Sequence, residues 1–122
     1  MARSIFERNG GFAKISRVVM SFYEKMTTSP LTRKYFEKTD MKRLMDHQTK
    51  FISSLMGGPA AISDERLRIV HQKLGITNEE FEEIAFLLTS AMEEHDMEEA
   101  DISDVINAVA GKRDLIISRT NA

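Results

Sequence analysis

The chain has 122 residues, 42% hydrophobic and 30% charged, enough for one compact domain with a real but small core and too few for two. A formal charge of −2 without a basic stripe argues against nucleic acid or an anionic membrane surface as partner. The lack of cysteine excludes disulfides, thiolate zinc sites, iron–sulfur clusters and thioether-linked cofactors, so any metal is held by nitrogen or oxygen or carried inside a prosthetic group.

The opening MARSIFERNG has no long apolar stretch, and the longest apolar run, Ile84 to Leu88, is far too short to cross a bilayer, which predicts a cytoplasmic protein without a membrane span. Apolar residues recur at three- and four-residue spacing nearly throughout, so the expected class is all-α. Phe12, Ile15, Val19, Phe22 and Met26 form the stripe of a first long helix entered after Gly10-Gly11. Ser29-Pro30 reads as an N-cap with proline at the first helical position, opening a short turn through Tyr35-Phe36. Thr39-Asp40 caps the next helix, whose stripe is Met41, Leu44, Gln48, Phe51, Ile52 and Leu55, stopped by Gly57-Gly58-Pro59. Ser63-Asp64 begins a short helix with Leu67, Val70, His71 and Leu74, closed by Gly75. Thr77 with Glu80 is a capping box before Phe81, Ile84, Ala85, Leu88 and Met92. A last helix is expected from about Glu98 to Ile117, with Ile102, Val105, Ile106, Val109 and Ile116 in the core.

Gln48 is the anomaly in this pattern, because a neutral amide on an apolar face costs on the order of 1–3 kcal/mol unless it is hydrogen-bonded. Taken alone it reads as a glutamine tied to a backbone carbonyl, and Tyr23 as a core-edge tyrosine whose hydroxyl reaches water. His71 lies on the flank of the Leu67, Val70, Leu74 face, where a histidine is commonly a satisfied core residue, and His47 lies at the boundary of its own face. His95 follows Glu93-Glu94 near a helix end, where dipole and acidic neighbours favour a cation, and it is assigned no site. A zinc hydrolase is disfavoured, since two histidines make half a coordination shell and no HExxH occurs. The acidic run from Asp96 to Asp104 lacks the glycine and spacing of a calcium loop.

Taken in order, these residues resemble a known family. Gly10-Gly11, Phe22-Tyr23 in SFYEKM, Tyr35-Phe36 before TDMKRL, His47-Gln48, Leu55-Met56-Gly57-Gly58-Pro59 and Val70-His71-Gln72-Lys73-Leu74-Gly75-Ile76-Thr77 are each weak alone. In this order and spacing the chain, from Ile5 to about Ile117, is similar to the group I truncated haemoglobins, a family of short two-over-two globins.

The resemblance implies one truncated globin domain over 1–122, a two-over-two helical sandwich around non-covalent haem b, with His71 as the proximal iron ligand. In that role Nε2 goes to iron while Nδ1–H bonds a backbone carbonyl one turn earlier, that of Leu67. Tyr23 and Gln48 match the distal positions that donate hydrogen bonds to bound gas. Leu44 stands where many globins keep a distal histidine, so the donor duty falls to Tyr23 and Gln48. Phe36 is expected on the haem edge, and Phe51, Phe81, Ile84, Leu88, Val105 and Val109 along the pocket or gas path. Arg43, Arg66 and Lys73 are candidates for the propionates, or else ordinary solvated cations. His47 matches a histidine that in cyanobacterial members coordinates iron when no gas is bound; here it either becomes a sixth ligand or points to the rim. The stretch Ala110-Gly111-Lys112-Arg113 has no histidine where cyanobacterial relatives can carry one bonded to a haem vinyl group, so covalent attachment is not expected.

The function implied is reversible binding of O2, NO and CO by a monomer, with NO dioxygenase chemistry as a further capacity that requires an external reductase, because no flavin or nicotinamide motif is present. Two other readings stay open at this point: a redox or gas sensor with bis-histidine haem, and a haem-free helical interaction module in which both histidines are structural.

Overall fold

The computed structural model describes residues 3–58, 63–72 and 74–117, apart from the side chains of Arg66 and Val70. Among the described residues there are seven α-helices, one 3-10 turn and no strand. They are α1 (Ile5–Arg8), α2 (Gly11–Thr28), the 3-10 turn (Arg33–Phe36), α3 (Met41–Leu55), α4 (Asp64–Gln72), α5 (Asn78–Glu94), α6 (Glu99–Ala110) and α7 (Arg113–Ile116). Helix α2 packs on α3 and on α5, α5 on α6, and α4 against α7, so two helix pairs lie one over the other.

Local chemistry sets most boundaries. Ser4 caps α1 through its side chain, Asp40 caps α3 by accepting from the Arg43 N–H at 3.2 Å, and Thr77 and Glu80 form the reciprocal capping box of α5. Between α1 and α2 the chain turns through Gly10 and Gly11 at φ +86° and +68°, a left-handed pair that side chains with a Cβ adopt only at a cost.

Three expectations are corrected, the first only in part. Ser29 terminates α2 at φ −73°, ψ 130°, because the residue before proline is pushed out of the α region, and its carbonyl then opens the following turn as expected, accepting from the N–H groups of Thr32 and Arg33 at 3.2 and 2.9 Å; its hydroxyl is not a cap but donates to Glu83 at 2.6 Å. The expected last helix is two: α6 stops at Ala110, and after Gly111 the short α7 folds back onto α4, with Lys112 bonded to Asp64 at 2.6 Å and Arg113 to Asn78 at 2.7 Å. Glycine weakens a helix interior by about 1 kcal/mol, which these contacts exploit. Phe12, read as core, is 42% exposed and leans edge-on against Phe6 at 4.8 Å.

The core proper is formed by Ile15, Val18 and Val19 of α2, Leu88, Ala91 and Met92 of α5, and Val105 of α6, all essentially buried. Each large aliphatic side chain there contributes about 1.5–3 kcal/mol. Asp101 of α6 is also buried and holds α1 in place, accepting from both Arg8 guanidinium nitrogens at 3.0 and 2.8 Å. No helix among the described residues is long and apolar enough to cross a membrane.

Candidate functional site

Between the two helix pairs lies an inner cavity of about 250 Å³ that joins an outer cleft of about 430 Å³. Thr39, Leu44, Gln48, Phe51 and His71 belong to the walls of both. Tyr23, Phe36, Ile84, Leu88 and Val109 complete the sequence-derived residues on the inner wall. Arg43 and His47 line the outer cleft and not the inner cavity.

His71 sits in the last turn of α4, and its Nδ1 lies 2.8 Å from the carbonyl oxygen of Leu67, one turn earlier. A carbonyl only accepts, so this contact puts the proton on Nδ1 and the lone pair on Nε2. Burial lowers the imidazole's proton affinity, and the bond to Leu67 opposes that only in part, so the ring is neutral at pH 7. A neutral imidazole with its tautomer set by a backbone carbonyl is the form that ligates a metal.

Tyr23 comes from the middle of α2 and is 6% exposed, with its ring edge-on to Phe22 at 5.0 Å and to Phe36 at 5.5 Å. Burial pushes its phenol far above the ordinary range, so the hydroxyl stays a donor. That hydroxyl makes no hydrogen bond among the described residues; Ser53 Oγ, and not this oxygen, is the polar side-chain atom sealed away without a partner, and Tyr23 lines the cavity. Gln48 is on the cavity-facing side of α3, half-buried, and its amide likewise has no partner among the described residues.

The other polar groups on the inner wall are committed elsewhere. Thr39 donates to the Tyr35 carbonyl at 3.2 Å, and the Tyr35 hydroxyl donates to Glu80 Oε1 at 2.6 Å. Glu80 is buried, also accepts from the Thr77 N–H at 3.0 Å, and pairs with Lys34 at 2.7 Å. Burial alone would raise its carboxyl, but the bonds from Lys34, Tyr35 and the Thr77 backbone outweigh it and bring it down to about 2. Among the described residues the rest of the wall is apolar, with Met26, Ile52, Leu74, Ile76 and Ile116 among its members.

Phe81 and Val105 are buried behind the wall and not on it, and Phe81 carries the Arg113 guanidinium over its ring at 5.4 Å. The Arg66 side chain and Lys73 lie outside the described residues, as do residues 59–62 ahead of α4. His95 caps the far end of α5 and bonds Ser21 at 2.8 Å, and it lines neither space. Reading the sequence missed Tyr35 as a wall residue and Glu80 as its partner. Their only signals were the aromatic pair Tyr35-Phe36 and the capping box, neither of which announces a contact 45 residues apart.

The residues present fit a planar iron cofactor. The apolar walls match a porphyrin, the neutral imidazole of His71 offers one ligand, and Tyr23, whose hydroxyl makes no hydrogen bond among the described residues, lines the same cavity with a donor to spare for a bound ligand. The cavities fall around the range of small-molecule and cofactor sites, about 300–1,000 Å³.

Comparison with known proteins agrees. The sequence pattern of the bacterial-like globins matches residues 4–117. The chain is 30% identical over 107 residues to the group 1 truncated hemoglobin GlbN of Mycolicibacterium paratuberculosis, covering 88% of this chain and 79% of that one. It is 27% identical over 120 residues to the GlbN of Synechocystis, covering 93% and 97%. Among solved structures, the 2/2 hemoglobin of Synechococcus in the cyanomet state with covalently attached heme superposes with a TM-score of 0.88 at 28% identity, covering 96% of this chain and 100% of that one. The ferric truncated hemoglobin of Tetrahymena pyriformis, at 24% identity and a TM-score of 0.86, shares the fold over 94% of this chain and 98% of that one.

Proposed function

The chain belongs to the bacterial-like globin family, and from that premise we propose that it is a single-domain haem protein that reversibly binds O2, NO and CO at an iron held by His71. The observation that carries this reading is the division of the cavity's polar groups: His71 has its Nδ1 tied to Leu67, and Tyr23 lines the same cavity with a hydroxyl that makes no hydrogen bond among the described residues. A ferrous haem b, when bound, supplies an iron that takes up a neutral diatomic gas and places partial negative charge on it.

The residues then have separate duties. His71 offers the Nε2 lone pair, and its bond to Leu67 keeps the ring from turning. Tyr23 and Gln48 donate hydrogen bonds toward the gas. Leu44, Phe36 and Phe51 keep water out of the inner cavity, where each donor acts more strongly for lack of competing solvent. Arg43, on the outer cleft, is placed to meet a propionate. His47 belongs to the outer cleft alone, which supports a rim position; as a sixth iron ligand it would require α3 to move inward. The lack of cysteine, the lack of histidine at 110–113 and the bond of His95 to Ser21 support non-covalent haem.

With NO as a second gas the same cavity serves NO dioxygenation: NO, O2 and one electron give nitrate. The electron comes from a separate reductase. A cytoplasmic monomer suits this role.

The test is the visible spectrum of the ferric protein purified from haem-replete cells, followed by reduction and CO. A Soret band that shifts on reduction and again on CO supports haem and gas binding; no Soret band overturns both. A low-spin ferric spectrum abolished by His47→Ala would move His47 from the rim to the iron. Consumption of NO in the presence of O2 and a reductase separates dioxygenation from simple gas carriage.

A further inference from the structure

We infer that Glu80 is a positioning residue that draws the Tyr35 hydroxyl out of the cavity and so leaves Tyr23 and Gln48 as the donors a bound diatomic ligand meets. This inference rests on the haem and gas reading above and deepens it.

Three tyrosine or amide donors belong to the inner wall, those of Tyr23, Tyr35 and Gln48, and only Tyr35 has its donor engaged by a described residue. The engagement is strong by construction. Glu80 is 4% exposed, sits at the start of α5, and uses Oε1 for both the Tyr35 hydroxyl at 2.6 Å and the Thr77 N–H at 3.0 Å. Its Oε2 takes Lys34 at 2.7 Å, and the same Lys34 ammonium lies 5.3 Å from the centroid of the Tyr35 ring. The ring is therefore held at its tip by a carboxylate and on its face by a cation, and both holders are paired with each other.

A short O–H···O bond to an ionised carboxylate is roughly twice as strong as one between neutral groups. A gas ligand carrying a partial charge cannot compete for this hydroxyl, whereas it meets no competitor at Tyr23. The carboxylate thus acts on specificity at a distance, by subtraction: it keeps one tyrosine silent so that another decides how long the gas stays. Capping of α5 by itself does not require this, since the box needs only the Thr77 and Glu80 side chains and their backbones.

The experiment uses the haem-loaded protein and compares wild type with Glu80→Ala, Tyr35→Phe, Thr77→Ala and the double variant Glu80→Ala/Tyr35→Phe. The C–O stretch of the CO complex reports the donors around the ligand. Expected is an added band at lower wavenumber in Glu80→Ala, with O2 release slowed about tenfold, as one extra hydrogen bond implies. Both effects should vanish in the double variant, while Tyr35→Phe and Thr77→Ala alone resemble wild type. A purely structural role for Glu80 would not be reversed by removing the Tyr35 hydroxyl. An unmoved stretch in Glu80→Ala, or a shift that survives Tyr35→Phe, overturns the inference.

Should Glu80→Ala not fold, the wild type still decides. The Tyr35 hydroxyl proton is expected as a slowly exchanging, downfield NMR resonance that is lost in Tyr35→Phe, and its absence in wild type overturns the inference. No Soret band overturns the haem reading and this inference with it; a Soret band with an unmoved stretch overturns this inference alone.

Discussion

The Nδ1 of His71 lies 2.8 Å from the carbonyl oxygen of Leu67, four residues earlier in the same helix, so the imidazole of His71 is oriented by the backbone of the element that carries it. That arrangement ties the ring's orientation and its tautomer to the local backbone. His71→Gly is expected to lose the Soret band or its proximal signature, with external imidazole restoring it, because the cavity would accept a free ring in the vacated place. An unchanged spectrum in His71→Gly would falsify the assignment of His71 as the iron ligand.

Tyr23 separates stability from function. Its hydroxyl makes no hydrogen bond among the described residues and borders the cavity, so Tyr23→Phe breaks no bond within the protein and should leave the haem-free protein about as stable as wild type. The same change should speed O2 release roughly ten- to a hundredfold, the equivalent of about 1.5–3 kcal/mol for a hydrogen bond to a charged acceptor. Stopped-flow release rates and urea unfolding check the two halves; an unchanged off-rate would remove Tyr23 from the ligand site.

Glu80 should leave a mark on the pH dependence of stability. Its carboxyl is at about 2 in the folded chain against an ordinary 4.5, so unfolding takes up a proton between those values. The stabilisation from ionised Glu80 is complete above about 4.5 and is lost as pH falls toward 2. Within that window Glu80→Gln, at matched haem loading, should flatten the slope of unfolding free energy by up to about 1.4 kcal/mol per pH unit. Parallel slopes for the two proteins between pH 3 and 4, at roughly these values, would mean that Glu80 is not held ionised.

Gly58 is a site of close approach. A Cβ there would lie 2.8 Å from the Ser53 carbonyl oxygen and 2.9 Å from Cδ1 of Phe6. The carbonyl cannot retreat without loosening its bond from the Gly58 N–H, now 2.7 Å. Gly58→Ala is expected to destabilise by about 1–3 kcal/mol, read as a lower urea midpoint with an unchanged slope. A midpoint equal to wild type would show that the Ser53 turn can shift.

Much of this molecule was legible before its fold was known, and for identifiable reasons. Helix spacing, the Asp40 cap and the Thr77–Glu80 box are local, depending on residues three or four apart, and all three stand in the structure as expected. The Leu67 contact of His71 is local in the same sense. Ser29 opens the turn after α2 through its carbonyl as expected, but its hydroxyl goes to Glu83, 54 residues away, which no local rule announces. Phe12 begins a stripe in sequence that the packing takes up only one turn later, at Ile15.

Tertiary structure alone decided what stands next to what. That α7 breaks away at Gly111 to lie on α4 depends on Asp64 and Asn78 being within reach of Lys112 and Arg113, which no spacing reveals. Asp101 belonged to an acidic run in sequence and became the buried anchor of Arg8, 93 residues away. Above all, the sequence by itself determined which side chains are chemically capable, His71, Tyr23, Gln48, Tyr35 and Glu80 among them. Which donor is spent inside the protein and which is left facing the cavity followed only from the distances between helices, because a hydrogen bond is made by proximity in space and periodicity along the chain is silent about it.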